Sequence, residues 1–204
     1  MGYFVPLWRA FGGKIGVRNS DLYPSFGYGF KVFSAGEFRQ KYSTRSLFLT
    51  GCRPSEAIAL LWKDISHDLK RVMFERVVIT TGSGQQIRES LKTQERRRFP
   101  CNGKVQSLLA ELKPDRYDAG ALVFPGYAGG TLNTPSFRKN VWKPVLEGLG
   151  IQYRKPYQTR HTFITLALEH GLDAKDVAKL VGNSPEVIYR HYAGNKRELF
   201  VPEF

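Results

Sequence analysis

The chain has 204 residues with 42% apolar and 13% aromatic content, enough for one folded core and too little for two large domains. Its 31 Lys and Arg against 18 Asp and Glu give a formal charge of +13, which excludes an ordinary acidic enzyme and makes a polyanion, nucleic acid first, the expected partner. Cys52 and Cys101 are too few to staple a secreted domain, and no apolar run approaches the roughly 20 residues of a spanning helix, so a reducing, cytoplasmic setting and no membrane partner are expected.

In chain order, residues 1–33 are broken by Gly12, Gly13, Gly16, Gly27 and Gly29 and read as irregular or extended. They also lack the basic-then-apolar order of a signal peptide. Ser34 and Glu37 have capping-box spacing and predict a helix through Tyr42 to Leu49, stopped by Thr50-Gly51-Cys52. Pro54 suits a first helical position, and Ala57, Ile58, Leu60 and Leu61 predict a short helix ending near Trp62. The period then changes. Residues 72–79 are β-branched and apolar, 81–84 make a turn, and extended runs at 86–91 and 97–101 flank Lys92-Thr93-Gln94-Glu95. This predicts a hairpin or a three-stranded sheet with Lys92 near its tip; a solvated charged loop is the other reading.

From Lys104 the chain is helical by period, with Val105, Leu108, Leu109 and Leu112 on one stripe, followed by a loop at 125–130 and a helix over 135–149. Thr159 is the expected cap of a helix carrying Phe163, Leu166 and Ala167 that stops at Gly171. Asp173 and Asp176 open the next helix, which stops at Gly182, and Ser184-Pro185-Glu186 opens a last one toward Tyr192. The fold class is therefore α+β, mostly α, with a small antiparallel sheet inserted early.

No His/Cys cluster has zinc spacing, and neither a phosphate-binding Gly-rich loop nor a Gly-x-Ser-x-Gly elbow occurs. What is left is a set of cations and a tyrosine. Arg53 follows a tight turn at a helix start, where a guanidinium and free backbone amides converge on one phosphate, and Glu56 stands one turn later to hold it. An exposed i,i+3 ion pair is the plainer reading of those two residues.

Three blocks then resemble one family. Residues 50–65, TGCRPSEAIALLWKDI, are similar to the Thr-Gly-x-Arg-x-x-Glu…Leu-x-Trp-x-Asp-Ile signature of the tyrosine recombinase (phage integrase) catalytic domain. Residues 156–163, PYQTRHTF, resemble its second arginine motif, and Leu180-Val181-Gly182-Asn183-Ser184 with Tyr192 has the spacing of its nucleophile box. The resemblance implies a tyrosine recombinase-type catalytic domain over 34–195, its sheet lying between the two arginine motifs, with an N-terminal segment 1–33 that is no helical core-binding domain and a tail over 196–204.

By that resemblance, Arg53 and Arg160 clamp the scissile phosphate, Lys92 protonates the leaving 5′ oxygen, and Tyr192 is the nucleophile. The position three before the second arginine is usually His and here is Tyr157; the position after Gly182 is usually His or Trp and here is Asn183. A phenol there still exchanges one hydrogen bond with the phosphate, whereas the Asn183 amide donates but brings no charge. The physical logic is consistent: fixed cations neutralise a phosphodiester transition state, so no cofactor is expected. Arg96, Arg97 and Arg98 read as backbone-phosphate contacts, and His161 and His191 as supporting hydrogen-bonders beside the site.

The implied partner is double-stranded DNA, with self-association on it as a tetramer in a full recombination complex, in a nucleoid-associated prokaryotic or phage setting. Other readings stay open at this point. Tyr192 has a packing role against Ile188 as its alternative, Tyr189 competes as nucleophile, and Lys104 or the 96–98 run competes with Lys92. As whole-chain functions, the rivals are a type IB topoisomerase, a DNA-binding remnant without chemistry and, weakest, an RNA-binding module.

Overall fold

A computed structural model describes residues 35–82, 84–89, 96–126, 129–148 and 150–192. The segment 1–33, the Ser34 cap, Lys92 and the tail 196–204 lie outside the described residues. Helix α1 spans Ala35–Thr50 and ends at Gly51, whose φ of +61° lets the chain turn sharply and return its amide to the Leu47 carbonyl at 3.0 Å. Helix α2, Pro54–Ala57, starts at the expected proline.

That helix stops well before Trp62, contrary to the sequence expectation. Ile58 closes the turn, and Leu60 and Leu61 are drawn into extended backbone instead: the Leu60 carbonyl accepts from Val123 at 2.9 Å and the Trp62 amide donates to Ala121 at 3.0 Å. Residues 57–62 are buried on every side, so the run carried no helical stripe to distinguish it from a buried extended segment.

The apolar run at 72–79 also divides. Strand β1, Arg71–Phe74, pairs antiparallel with β4, Arg97–Pro100, while β2, Val77–Thr81, pairs antiparallel with β3, Gly84–Arg88. Two two-stranded sheets replace the hairpin or three-stranded sheet expected. The break falls at Glu75-Arg76, where the buried Arg76 guanidinium is hydrogen-bonded to Asp64 and lies 2.6 Å from Glu75, an arrangement a continuous strand would not allow.

The remaining helices are α3 (Gly103–Leu112), α4 (Thr134–Phe137), a wider i→i+5 turn over Arg138–Trp142, α5 (Lys143–Gly148), α6 (Gln158–Glu169), α7 (Ala174–Val181) and α8 (Pro185–Tyr192). Side chains of Asn102, Asn133 and Asp173 accept backbone amides at the starts of α3, α4 and α7. Thr159 is not the cap of α6: that helix begins at Gln158, and the Thr159 hydroxyl donates backward to the Pro156 carbonyl at 2.8 Å. The expected α+β chain, mostly helical with antiparallel strands between the two arginine segments, is thus what the structure shows.

Three buried clusters hold these elements. One joins α1, β1, β4 and α3 through Leu47, Phe74, Phe99 and Leu108; a second packs Phe48, Ile58 and Val78 against Trp142 and Leu146; a third joins α6, α7 and α8 through Ile164, Val177, Val181 and Ile188. Each such fully buried side chain contributes about 1.5–3 kcal/mol of transfer free energy. Phe163 touches both the first and third clusters and so ties α6 to the body that carries Arg53.

Candidate active site

Arg53 sits just ahead of α2 with extended backbone, and its own amide donates to Glu56 Oε2 at 2.8 Å while its Nη1 donates to Glu56 Oε1 at 2.9 Å. Glu56 is 1% exposed, so this is no surface ion pair. Arg97 reaches the same carboxylate from β4 with a fork of two bonds, 2.9 Å to Oε1 and 2.6 Å to Oε2, and lies 4.4 Å over the Phe74 ring. Burial pushes the Glu56 carboxyl up, but the Arg97 bonds and charge, with those of Arg53, outweigh it and hold the group below its ordinary value.

Arg160, on the first turn of α6, is also 1% exposed. Its Nη1 donates to the carbonyls of Gly51 at 3.0 Å and Val181 at 2.5 Å, and its Nη2 reaches Gly182 O at 3.4 Å. Arg53 Nη2 donates to that same Gly182 oxygen at 3.0 Å, and Arg97 Nε to Leu180 O at 3.1 Å. Three guanidiniums therefore meet the last carbonyls of α7, which a helix end leaves unpaired and partly negative. Gly182, at φ +66°, turns the chain there. Burial, then the positive charge of Arg53, pull the Arg160 guanidinium below its ordinary value, yet it stays ionised. Three cations against the single Glu56 carboxylate leave a site whose repulsion an incoming anion relieves.

Tyr192, the last described residue, lies at the end of α8 with its hydroxyl in hydrogen-bond contact with His161 Nδ1 on α6. The two ring centroids are 5.7 Å apart, and the Tyr157 ring stands edge-on to His161 with centroids 5.5 Å apart. Burial pushes the Tyr192 phenol up to about 12, with Arg160 pulling the other way. The His161 imidazole is held below its ordinary value by burial first, then by the charges of Arg160 and His191. Tyr157 is 41% exposed, His191 is exposed and Asn183 is half-buried beside the Gly182 turn, its backbone N–H donating to Ala178 O at 3.0 Å.

A cavity of about 280 Å³ opens beside Arg53, lined among others by Ile58, Val78, Thr80, Gln85 and Tyr157. No group of three or more His, Cys, Asp or Glu among the described residues is arranged to hold a metal ion. Cys52 is buried under Arg53 and its thiol is pushed up to about 11, mainly by burial and then by Glu56.

The sequence model of the phage integrase family matches residues 31–198 of the chain. The chain belongs to the phage integrase family. It is 28% identical over 166 residues to a tyrosine recombinase XerC-like protein of Caldanaerobacter subterraneus subsp. tengcongensis, covering 69% of this chain and 42% of that protein. To tyrosine recombinase XerC of Xanthomonas axonopodis pv. citri it is 28% identical over 141 residues, 67% of this chain and 40% of the relative. The chain thus spans less than half the length of these relatives. Among solved structures, the Tn1549 transposon integrase in complex with a circular intermediate DNA shares the fold at a TM-score of 0.67 and 20% identity, over 82% of this chain and 57% of that one. XerH site-specific recombinase bound to difH substrate does so at 0.55 and 23%, over 78% and 45%.

In this integrase-family chain the structure brings Arg53, Glu56, Tyr157, Arg160, His161, Asn183 and Tyr192 to one place from α2, α6, the α7 end and α8. Lys92 lies outside the described residues. Arg98 on β4 and Arg96 just before it are exposed, Arg96 lying 3.4 Å from Glu75. Arg97, expected beside them as a backbone-phosphate contact, is placed differently: it is 7% exposed and its guanidinium bonds Glu56 and Leu180. Sequence reasoning also missed the Gly182 carbonyl as a meeting point and the direct His161–Tyr192 contact. The signal for Arg97 was present, since alternation along a strand puts residues 97 and 99 on the face opposite 96 and 98.

Proposed function

We propose that this chain is the catalytic part of a site-specific DNA recombinase, covering 34–195, that breaks and rejoins duplex DNA through a 3′-phosphotyrosyl link. The observation that carries it is the convergence of Arg53 and Arg160 on the Gly182 carbonyl, one short turn before the helix that bears Tyr192. Arg53 and Arg160 hold the scissile phosphate by charge-assisted bonds, Tyr157 and Asn183 donate hydrogen bonds to its non-bridging oxygens, and Glu56 and Arg97 brace Arg53. The Tyr192 oxygen attacks phosphorus, the P–O5′ bond breaks, and Lys92 gives a proton to the departing 5′ oxygen. A second 5′ hydroxyl then reverses these steps and rejoins the strand without ATP. Arg96 and Arg98 add sequence-independent contacts to the duplex, and copies of the chain associate on DNA as a tetramer in a bacterial or phage setting.

Covalent trapping tests this reading: protein incubated with a nicked duplex library and quenched in SDS retains DNA, and the Tyr192→Phe variant retains none. One observation favours a second reading. Asn183 offers a small amide where the family usually has the ring N–H of His or Trp, which suits a DNA-binding protein without chemistry; that version binds duplex and gives no adduct.

A further inference from the structure

We infer that His161 is the general base that takes the Tyr192 proton, an inference that rests on the recombinase reading. Among the described residues the only hydrogen bond of the Tyr192 hydroxyl is to His161 Nδ1. The phenol is protonated at neutral pH, since burial pushes it up to about 12, so it needs an acceptor to attack phosphorus. Tyr157, at the position three before Arg160, offers a hydroxyl and no basic nitrogen. It instead packs against the His161 ring at 67°, with centroids 5.5 Å apart, so the imidazole is in contact with the rings of both Tyr157 and Tyr192.

The charges around His161 come from two elements. Arg160 lies beside it on α6 and His191 faces it from α8, with the uncharged Tyr157 and Tyr192 completing the surround. Burial and these charges hold the imidazole below its ordinary value, so it is neutral at neutral pH, which leaves Nδ1 with a free lone pair when the proton sits on Nε2. A bound phosphate changes this balance. Its negative oxygens at Arg160 offset the field that opposes an imidazolium, so the ring becomes a better acceptor when the substrate is in place. In the step itself the Oη–H bond breaks and its proton moves to Nδ1. The freed pair forms the Oη–P bond, the P–O5′ pair leaves with the 5′ oxygen, and that oxygen takes the Lys92 proton. On rejoining, the imidazolium returns its proton to Tyr192 as the Oη–P bond breaks.

The test follows adduct formation by the full chain on a nicked duplex library from about pH 5 to about 9, with duplex binding as the folding control. The wild-type rate is expected to rise through the imidazole titration and then level. His161→Asn, whose amide keeps a hydrogen bond near the Nδ1 position without accepting a proton, is expected to lose about 100-fold at neutral pH. Its residual rate is expected to climb about tenfold per pH unit without a plateau. A variant that binds duplex like wild type and keeps both its rate and the plateau overturns the inference. Absence of adduct in the wild-type protein overturns the recombinase reading and this step with it. Nitrogen NMR of the wild-type protein judges the contact separately: a proton on Nε2 and a bare Nδ1 are expected, and a proton on Nδ1 overturns the assignment whatever the DNA result.

Discussion

Replacing Glu56 by Gln removes the charge that four donor groups of Arg53 and Arg97 share while keeping the side chain's shape. The carboxylate takes two bonds from Arg97, at 2.9 and 2.6 Å, and two from Arg53, one from its amide at 2.8 Å and one from its guanidinium at 2.9 Å. A Gln amide presents one oxygen and turns an NH2 toward the remaining donors, leaving the buried Arg97 without its counter-charge. Breaking a buried pair by removing one partner costs about 3–5 kcal/mol. For a chain of this size each kcal/mol lowers Tm by roughly 2–4 °C, so the expected fall is about 6–20 °C. The pH dependence carries a second signature. The Glu56 carboxyl titrates below its ordinary 4.5 in the folded state, so its stabilisation is complete above about pH 4.5 and is lost as pH falls through the folded value. Thermal melts followed by circular dichroism at neutral pH and down to about pH 3 check both points, and the Gln variant should lack that part of the acid loss. A fall in Tm of less than about 2 °C, or an acid limb identical to wild type, would refute the reasoning.

Two further outcomes follow from the same geometry. Gly51→Ala places an L side chain at φ +61°, worth about 1–2 kcal/mol by itself. The new Cβ also falls 2.5 Å from Phe163 Cδ1, so urea melts should show a larger loss, and the Gly51→Ala, Phe163→Ala double variant should be less unstable than the sum of its singles. At the start of β4, Arg96→Ala and Arg98→Ala should each weaken duplex binding and lower the slope of log K against log salt by about 0.9, measured by fluorescence anisotropy. Arg97→Ala should instead lower Tm, because its guanidinium is spent on Glu56 and Leu180 inside the protein.

Much of the site was legible because its residues stand at turns that punctuation residues announce. Gly51 and Pro54 bracket Arg53, and Gly182 ends α7, so the positions of both turns follow from backbone chemistry alone. The helices around Val177 and Ile188 follow from caps at Asp173 and Ser184, whereas the helix around Phe163 follows from its apolar residues and Gly171, its expected cap Thr159 bonding backward instead. What was illegible concerns buried polar residues and continuous apolar runs. Nothing local separates Leu60-Leu61 in a helix from Leu60-Leu61 in a buried bridge, since the deciding partner is Leu122, sixty residues on. The split at Glu75-Arg76 depends on Asp64, and Arg97 looked like its two neighbours because their strand partners and Glu56 lie far away in sequence. The His161–Tyr192 contact likewise joins α6 to α8 across 31 positions, and a shared cluster with Ile164, Val177, Val181 and Ile188 packs those helices together.

Covalent trapping tests the central claim most directly. The full chain is incubated with a nicked duplex library, denatured in SDS, and the attached DNA is sequenced and its linkage mapped by mass spectrometry. The account predicts DNA joined through a 3′ phosphate to Tyr192, enriched in one sequence, and no adduct from Tyr192→Phe. Duplex binding that is sensitive to salt but leaves no adduct, or an adduct that persists in Tyr192→Phe, would contradict it.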